Sequence, residues 1–130
     1  MMSNAKVLLF CLLIIFSFDL TAQSESTFII GRWKGVKMDL RNGETGEKYT
    51  LNGQPYETDD EMVFQADGKV NDITNKMIFS YQINSKILSI GDRKFIIQRL
   101  LDSEMVLIEY SEDDPENPLA FRTYYVKEKK

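Results

Sequence analysis

The chain has 130 residues, of which 20 are acidic, 16 are basic and none is histidine, so its formal net charge is −4 at pH 7. This acidic balance argues against nucleic acid as a partner, because phosphate binding needs a basic face. The absence of histidine excludes Ser-His-Asp and Cys-His catalysis and zinc sites with imidazole ligands.

Residues 1–22 have the order of a secretory signal peptide. Lys6 supplies a short basic start, Val7 to Phe18 is an almost unbroken apolar run, and Ala22 ends the segment. The apolar run is shorter than the roughly 20 residues that a membrane-spanning helix needs. We therefore predict cleavage after Ala22, export to the periplasm or the cell exterior, and no membrane span in the remaining chain.

The remaining residues, 23–130, are predicted to form one domain. Cys11 lies inside the predicted signal, so this domain has no cysteine and no disulfide framework. About 108 residues are enough for one ordinary hydrophobic core, which must stabilise the domain without covalent cross-links.

The first strand is predicted at Ile29 to Leu40, and a long polar segment, Arg41 to Asp60, follows it. Asn52-Gly53 within that segment suggests a small hairpin, which Pro55 would limit to an edge or an irregular ribbon. Long loops in compact domains are usually functional or disordered. The segment is therefore either a plain loop or a functional one.

The rest of the chain alternates strand-like runs with turn signals. Asp67-Gly68 and Gly91-Asp92 each separate two runs, "KMIFSYQI" and "EMVLIEYS" read as strands, and "LAFRTYYVKE" closes the chain after the exposed loop 111–118. The pattern predicts an all-β fold of about eight strands with short sequential connections. Closure into a single antiparallel up-and-down barrel would remove the two bare edges of such a meander.

The order of several short motifs resembles the lipocalins, and in particular small bacterial lipocalin-like domains. Gly31-Arg32-Trp33 on the first strand is similar to their Gly-x-Trp signature. The resemblance continues through the motifs Met62-x-Phe64, Asp67-Gly68, Tyr81-x-Ile83 and Leu88-x-Ile90, and it covers most of residues 28–126.

This resemblance implies a structural role for Trp33, packed across the closed end of the barrel. It also implies a basic residue over the indole, for which Arg122 on the last strand is the candidate and Arg99 the second. Such a cation–π contact stabilises by about 0.5–2 kcal/mol, depending on burial. Gly31 would let neighbouring backbone approach closely, because it has no side chain.

Apolar residues at strand spacing form the predicted interior, which is either filled or partly open as a cup. An eight-stranded barrel is just wide enough for either. Glu109 shares the parity of Leu107; if it points inwards, it needs a partner such as Arg99 or Arg122. The predicted ligand-binding residues are Phe64, Phe79, Tyr81, Phe95, Leu107 and Glu109.

The sequence predicts no catalytic residue, metal site or cofactor. The acidic runs 57–61 and 111–114 lie in polar segments, where carboxylates make poor general acids, and neither matches an EF-hand loop. We expect a non-catalytic protein that binds a small apolar or amphipathic molecule in its barrel. The alternative is a structural envelope module, or one that binds another protein, with a barrel filled by side chains.

Overall fold

The computed structural model describes residues 26–129, so the predicted signal peptide lies outside the described part of the chain. Eight strands form a closed barrel in which every neighbouring pair is antiparallel and β1 pairs with β8. The predicted all-β, up-and-down barrel is confirmed. The strands are β1 Gly31–Leu40, β2 Glu61–Phe64, β3 Lys69–Asp72, β4 Met77–Asn84, β5 Ile87–Ile90, β6 Arg93–Leu100, β7 Glu104–Tyr110 and β8 Phe121–Lys127.

Two local predictions are wrong. The first strand begins at Gly31, because residues 26–29 form a helical turn before it. The hairpin predicted around Asn52-Gly53 is absent; a short 3₁₀ helix, Glu47–Tyr49, occupies part of the loop. Thr50 Oγ1 lies 2.8 Å from the carbonyl oxygen of Gln54 and 3.2 Å from that of Glu47, so its hydroxyl finds an acceptor within the loop without strand pairing. Within residues 26–129, no helix is both long enough and apolar enough to cross a membrane.

The up-and-down order gives the barrel two different ends. The short turns β2–β3, β4–β5 and β6–β7 lie at the end where β1 begins, and the long β1–β2 and β7–β8 loops lie at the other. We call these the closed end and the open end. The core of the closed half consists of large, fully buried side chains contributed by several strands: Trp33, Phe64, Val70, Leu88 and Met105.

Two register shifts interrupt the alternation of inward and outward side chains. One lies between Gly35 and Lys37 of β1, opposite β8, and the other between Ile97 and Arg99 of β6, opposite β7. Such an extra residue reverses the face on which the following side chains lie. The simple period of two that underlies the sequence analysis therefore fails along part of these two strands.

Candidate functional site

Trp33 closes one end of the barrel. Its side chain is fully buried, and its indole Nε1–H donates to the carbonyl oxygen of Ile29 at 2.7 Å. The Lys127 ammonium lies 5.0 Å from the centre of the Trp33 ring and donates to the carbonyl oxygen of Phe28 at 2.6 Å. The helical turn before β1 is thereby attached to both residues.

Gly31 allows this arrangement in two ways. Its φ of 138° belongs to a region that side-chain-bearing residues rarely adopt. A Cβ at this position would also lie 3.2 Å from Cδ and Cε of Lys127. The close approach predicted at Gly31 is therefore made by the lysine stem, rather than by backbone.

The prediction that Arg122 covers the indole is wrong. Arg122 lies on the outer face, where its Nε and a terminal nitrogen donate to the two carboxylate oxygens of Asp39 at 2.8 and 2.6 Å. The inward positions of β8 are Thr123, Tyr125 and Lys127, and the strand register pairs Trp33 with Lys127. Strict alternation of inward and outward residues along "FRTYYVK" identifies Lys127, and not Arg122, as the inward basic residue of this strand.

Arg99 is not the partner of the indole either. It follows the register shift in β6 and forms an exposed ion pair with Glu104 at 3.2 Å. The shift was not visible in the sequence, because no glycine or proline marks it.

The open half of the barrel contains a cavity of about 390 Å³, which we call the cup. Its apolar wall is formed by Met38, Met62, Met77, Phe79, Ile90, Phe95, Leu107 and Phe121. Its polar groups come from Thr58, Asp59, Asp60, Asp72, Thr74, Asn75, Asp92, Arg93, Glu109, Thr123 and Tyr125. The cup is therefore amphipathic.

The six predicted ligand-binding residues divide between the two halves of the barrel. Phe79, Phe95, Leu107 and Glu109 line the cup. Phe64 and Tyr81 do not. Their rings pack edge to face with centroids 4.9 Å apart, and the Tyr81 hydroxyl donates to the carbonyl oxygen of Gln65. These two aromatic residues fill the closed half, so they are unsuited to contact a molecule in the cup.

Glu109 has a partner that the sequence analysis did not name. Arg93, at the start of β6, donates to Glu109 Oε1 at 2.9 Å, and its guanidinium lies 5.0 Å from the centre of the Phe95 ring. The expected partners Arg99 and Arg122 are paired elsewhere. Phe95 pairs with Glu109 across β6 and β7, so Arg93, two residues before Phe95 on the same face, is the diagonal neighbour of Glu109.

The sequence analysis predicted only Glu109 among the polar residues of the cup and missed, in particular, Asp60, Asp72 and Tyr125. The Tyr125 hydroxyl donates to Asp60 Oδ2 at 2.6 Å. Asp72 is only 8% exposed, and its two oxygens accept from the backbone N–H and the side-chain amide of Asn75. The parity of the strands was informative, since Asp60 and Asp72 are each two residues from an inward residue, Met62 and Val70, and so have the same inward parity.

The protonation of these groups reflects their withdrawal from water. Burial raises the pKa of Asp60; the hydrogen bond from Tyr125 opposes this effect, and the nearby charge of Asp72 adds to it. Burial also raises the pKa of Tyr125 well above its ordinary value, and the adjacent Asp60 carboxylate contributes to this rise. Tyr125 is therefore a neutral hydrogen-bond donor at neutral pH.

The β1–β2 loop reaches the cup with its last residues. Thr58, Asp59 and Asp60 line the cavity, and the Gly35 N–H donates to the carbonyl oxygen of Asp60 at 2.7 Å. Further back, the Tyr56 ring packs edge to face on Phe121, with centroids 5.2 Å apart. The loop thus forms part of the wall of the open end.

The chemistry available in the cup is hydrogen bonding and charge recognition beside an apolar wall. Within residues 26–129, no group of three or more metal-ligating side chains is arranged to hold a metal ion. Neither a protein-family model nor a curated protein sequence matches the chain. The features of this chain that indicate a function are therefore the barrel and its cup.

Proposed function

We propose that this chain is an exported, lipocalin-like protein that binds a small apolar or amphipathic molecule in the cup, without catalysis. The observation that carries the proposal is the cavity of about 390 Å³ in the open half of the barrel. Ligand cavities in proteins are concave, mostly apolar, and contain a few polar groups that orient the ligand. Their volumes run from roughly 300 to 1,000 Å³, so the cup is at the small end of that range.

The division of the barrel supports binding over a fully filled interior. Bulky residues complete the closed half, while Phe79, Phe95 and Leu107 leave space above them. An apolar group entering this space would gain about 25 cal/mol for each Å² removed from water. A structural or protein-binding module needs no such space. If the following test fails, such a module is the alternative function.

The test is a titration of apolar and amphipathic probes into the unliganded protein and into two variants. Met38→Trp adds bulk inside the cup, whereas Val36→Trp adds the same side chain to the outer surface, where Val36 is 56% exposed. We expect saturable binding of octanol or a similar probe by the wild type and by Val36→Trp, and its loss in Met38→Trp. Mass spectrometry of an organic extract of the natively purified protein would then identify the bound molecule.

Two results would reject ligand binding. One is the absence of saturable binding by every probe at micromolar to millimolar concentration. The other is equal weakening of binding by Met38→Trp and Val36→Trp, because that would locate the probes outside the cup. Circular dichroism of both variants establishes that each remains folded.

Export is supported by the order of Lys6, the apolar run and Ala22. Intact-mass measurement of the protein recovered outside the cytoplasm should give a chain that begins at or near Gln23. A stable cytoplasmic product that retains residue 1 would contradict it.

A further inference from the structure

The polar groups of the cup have a strong excess of negative charge. Five carboxylates line it, from Asp59, Asp60, Asp72, Asp92 and Glu109, against the single guanidinium of Arg93. That guanidinium is already paired with Glu109 and stacked on Phe95. The remaining four carboxylates therefore set the sign of the electrostatic potential in the cavity.

Two of these carboxylates are turned towards the interior with uncharged partners. Asp60 accepts a hydrogen bond from the Tyr125 phenol, and Asp72 accepts two from Asn75. Carboxylates removed from water are costly unless an opposite charge compensates them. A cation placed between them would gain the attraction that these neutral partners do not supply.

Arg93 shows which chemistry the wall of the cup accepts. Its cationic head lies against a carboxylate and over an aromatic ring at the same time, 2.9 Å from Glu109 Oε1 and 5.0 Å from the Phe95 centroid. Carboxylates and aromatic rings are the two groups that attract an organic ammonium ion. Asp60 and Asp72 line the cavity together with Phe79 and Tyr125, so both kinds of group are available there as well.

We propose that the ligand of the cup is a free amphipathic amine, with its ammonium group at Asp60 and Asp72 and its single apolar tail against Met62, Phe79 and Leu107. This inference rests on the proposed function, since it names the ligand class of the same cavity. An anionic amphiphile such as a fatty acid would bring a like charge next to these carboxylates. Among the described lining residues, Arg93 is the cationic group that would favour it.

The experiment compares three probes that share one tail and differ in the head: octylamine, octanol and octanoate. At pH 7 an alkylamine is cationic, as lysine is, and octanoate is anionic. We expect octylamine to bind at least about tenfold more tightly than octanoate, which corresponds to about 1.4 kcal/mol and is modest for one unit charge near a carboxylate. Isothermal titration calorimetry at fixed ionic strength measures all three affinities.

Charge-removing variants locate the effect. Asp60→Asn and Asp72→Asn should each lower the affinity for octylamine. Each should also reduce the ratio of the octylamine affinity to the octanoate affinity. Asp113→Asn removes the same charge from the exposed β7–β8 loop at the open end, outside the lining of the cup, and should leave the ratio unchanged. If Asp72→Asn lost its fold with its Asn75 contacts, Asp60→Asn would still decide, because asparagine retains an oxygen that accepts from Tyr125.

The outcomes separate this inference from the proposed function. If octanoate or octanol binds as tightly as octylamine or more tightly, the inference of an amine ligand is wrong, and the cup remains a binding site. An unchanged octylamine to octanoate ratio in both Asp60→Asn and Asp72→Asn, or an equal change in Asp113→Asn, also overturns it. Saturable binding of none of the three probes rejects both proposals together.

Discussion

At the scale of single residues, the closed end depends on two side chains that are far apart in sequence. Trp33 has a hydrogen-bond acceptor for its indole nitrogen, and the Lys127 ammonium covers its ring and binds the chain beside it. Lys127 is mostly shielded from water, with 18% of its side chain exposed. A partly buried ammonium over an indole is expected to stabilise more than an exposed one.

A double-mutant cycle measures this contact. Trp33→Ala should lower the free energy of unfolding by about 3–5 kcal/mol, as loss of a buried large aromatic does. Lys127→Met keeps the stem over Gly31 and removes the charge, so we expect a loss of about 1–2 kcal/mol, reduced in the Trp33→Ala background. Urea denaturation gives these values. Arg122→Met is the control, because its effect should add to that of Trp33→Ala; additive losses for Lys127→Met would contradict the contact.

Asp60 makes stability depend on pH in a direction opposite to that of an ordinary ion-paired carboxylate. Its folded pKa is raised above the ordinary 3.8, so the folded state holds the proton more tightly than the unfolded state. The contribution of Asp60 is therefore largest below pH 3.8 and is lost as the pH rises through the folded pKa. Asp60→Asn should remove this dependence.

The measurement is urea unfolding of the wild type and Asp60→Asn from acid to neutral pH. The free energy of unfolding of the wild type, relative to the variant, should fall as the pH rises above 3.8 and then become constant. Asp113→Asn, which alters an exposed loop, serves as the reference for changes in net charge. A difference between wild type and Asp60→Asn that stays flat or increases with pH would show that Asp60 is not destabilised in its ionised form.

At the scale of elements, the β1–β2 loop is fixed by a glycine packed against an aromatic ring. Gly46 has a φ of 91°, and a Cβ at this position would overlap the Tyr56 ring. Tyr56 in turn packs on Phe121 at the start of β8, and its N–H donates to the carbonyl oxygen of Thr45 at 2.9 Å. The loop is thereby attached to the barrel just before the residues that line the cup.

Gly46→Ala tests this attachment, and Gly43→Ala is its matched control. Both glycines have a φ of 91°, but a Cβ at Gly43 meets nothing within 4 Å. Each alanine should cost about 1–2 kcal/mol for its left-handed conformation. Gly46→Ala should cost roughly 1 kcal/mol more, because it displaces Tyr56 from Phe121. Urea unfolding measures the difference, and equal losses would mean that the Tyr56 contact does not hold the loop.

The sequence predicted most of the elements, and its failures have local physical causes. Alternation in β4 and β8 and the turn signals at Asp67-Gly68 and Gly91-Asp92 were sufficient for the barrel order. The register shift in β6 was invisible, because no glycine or proline marks it, whereas the shift in β1 begins at Gly35, a residue type that often marks a bulge inside a strand. The assignment of Arg99 to the interior failed because of the shift in β6.

The candidate site was predicted only in part, since parity was applied to apolar residues and, among the polar ones, to Glu109 alone. Phe79, Phe95, Leu107 and Glu109 line the cup as their spacing suggested. Asp60 and Asp72 have the same inward parity as these residues. From the sequence alone, however, a carboxylate is assigned to an exposed loop unless a buried partner for it is known. Partners such as Tyr125 and Asn75 are supplied by the three-dimensional arrangement.

At the scale of the whole molecule, packing is uneven around the barrel. The five strands β1, β4, β6, β7 and β8 have seven to ten residues, whereas β2, β3 and β5 have four each. In β7 the four consecutive residues Met105–Ile108 are all buried, so both faces of that strand are shielded from water. Four of the five long strands, β6, β7, β8 and β1, are consecutive around the closure and form one continuous half of the barrel, whereas β4 lies between the short strands β3 and β5.

This asymmetry predicts which hydrogen bonds open last. Native-state hydrogen exchange should give the highest protection, close to the global free energy of unfolding, at amides of Met105–Ile108 and of the β1 and β8 residues that pair around them. Amides of β2 and β3 should exchange through smaller openings, because these strands are short and follow the long β1–β2 loop. Two-dimensional NMR, under conditions where the exchange rate reports the equilibrium of opening, gives the opening free energy of each amide. The free energy of unfolding from urea denaturation sets the upper limit. Equal protection of β3 and β7 would show that the barrel opens only as a single cooperative unit.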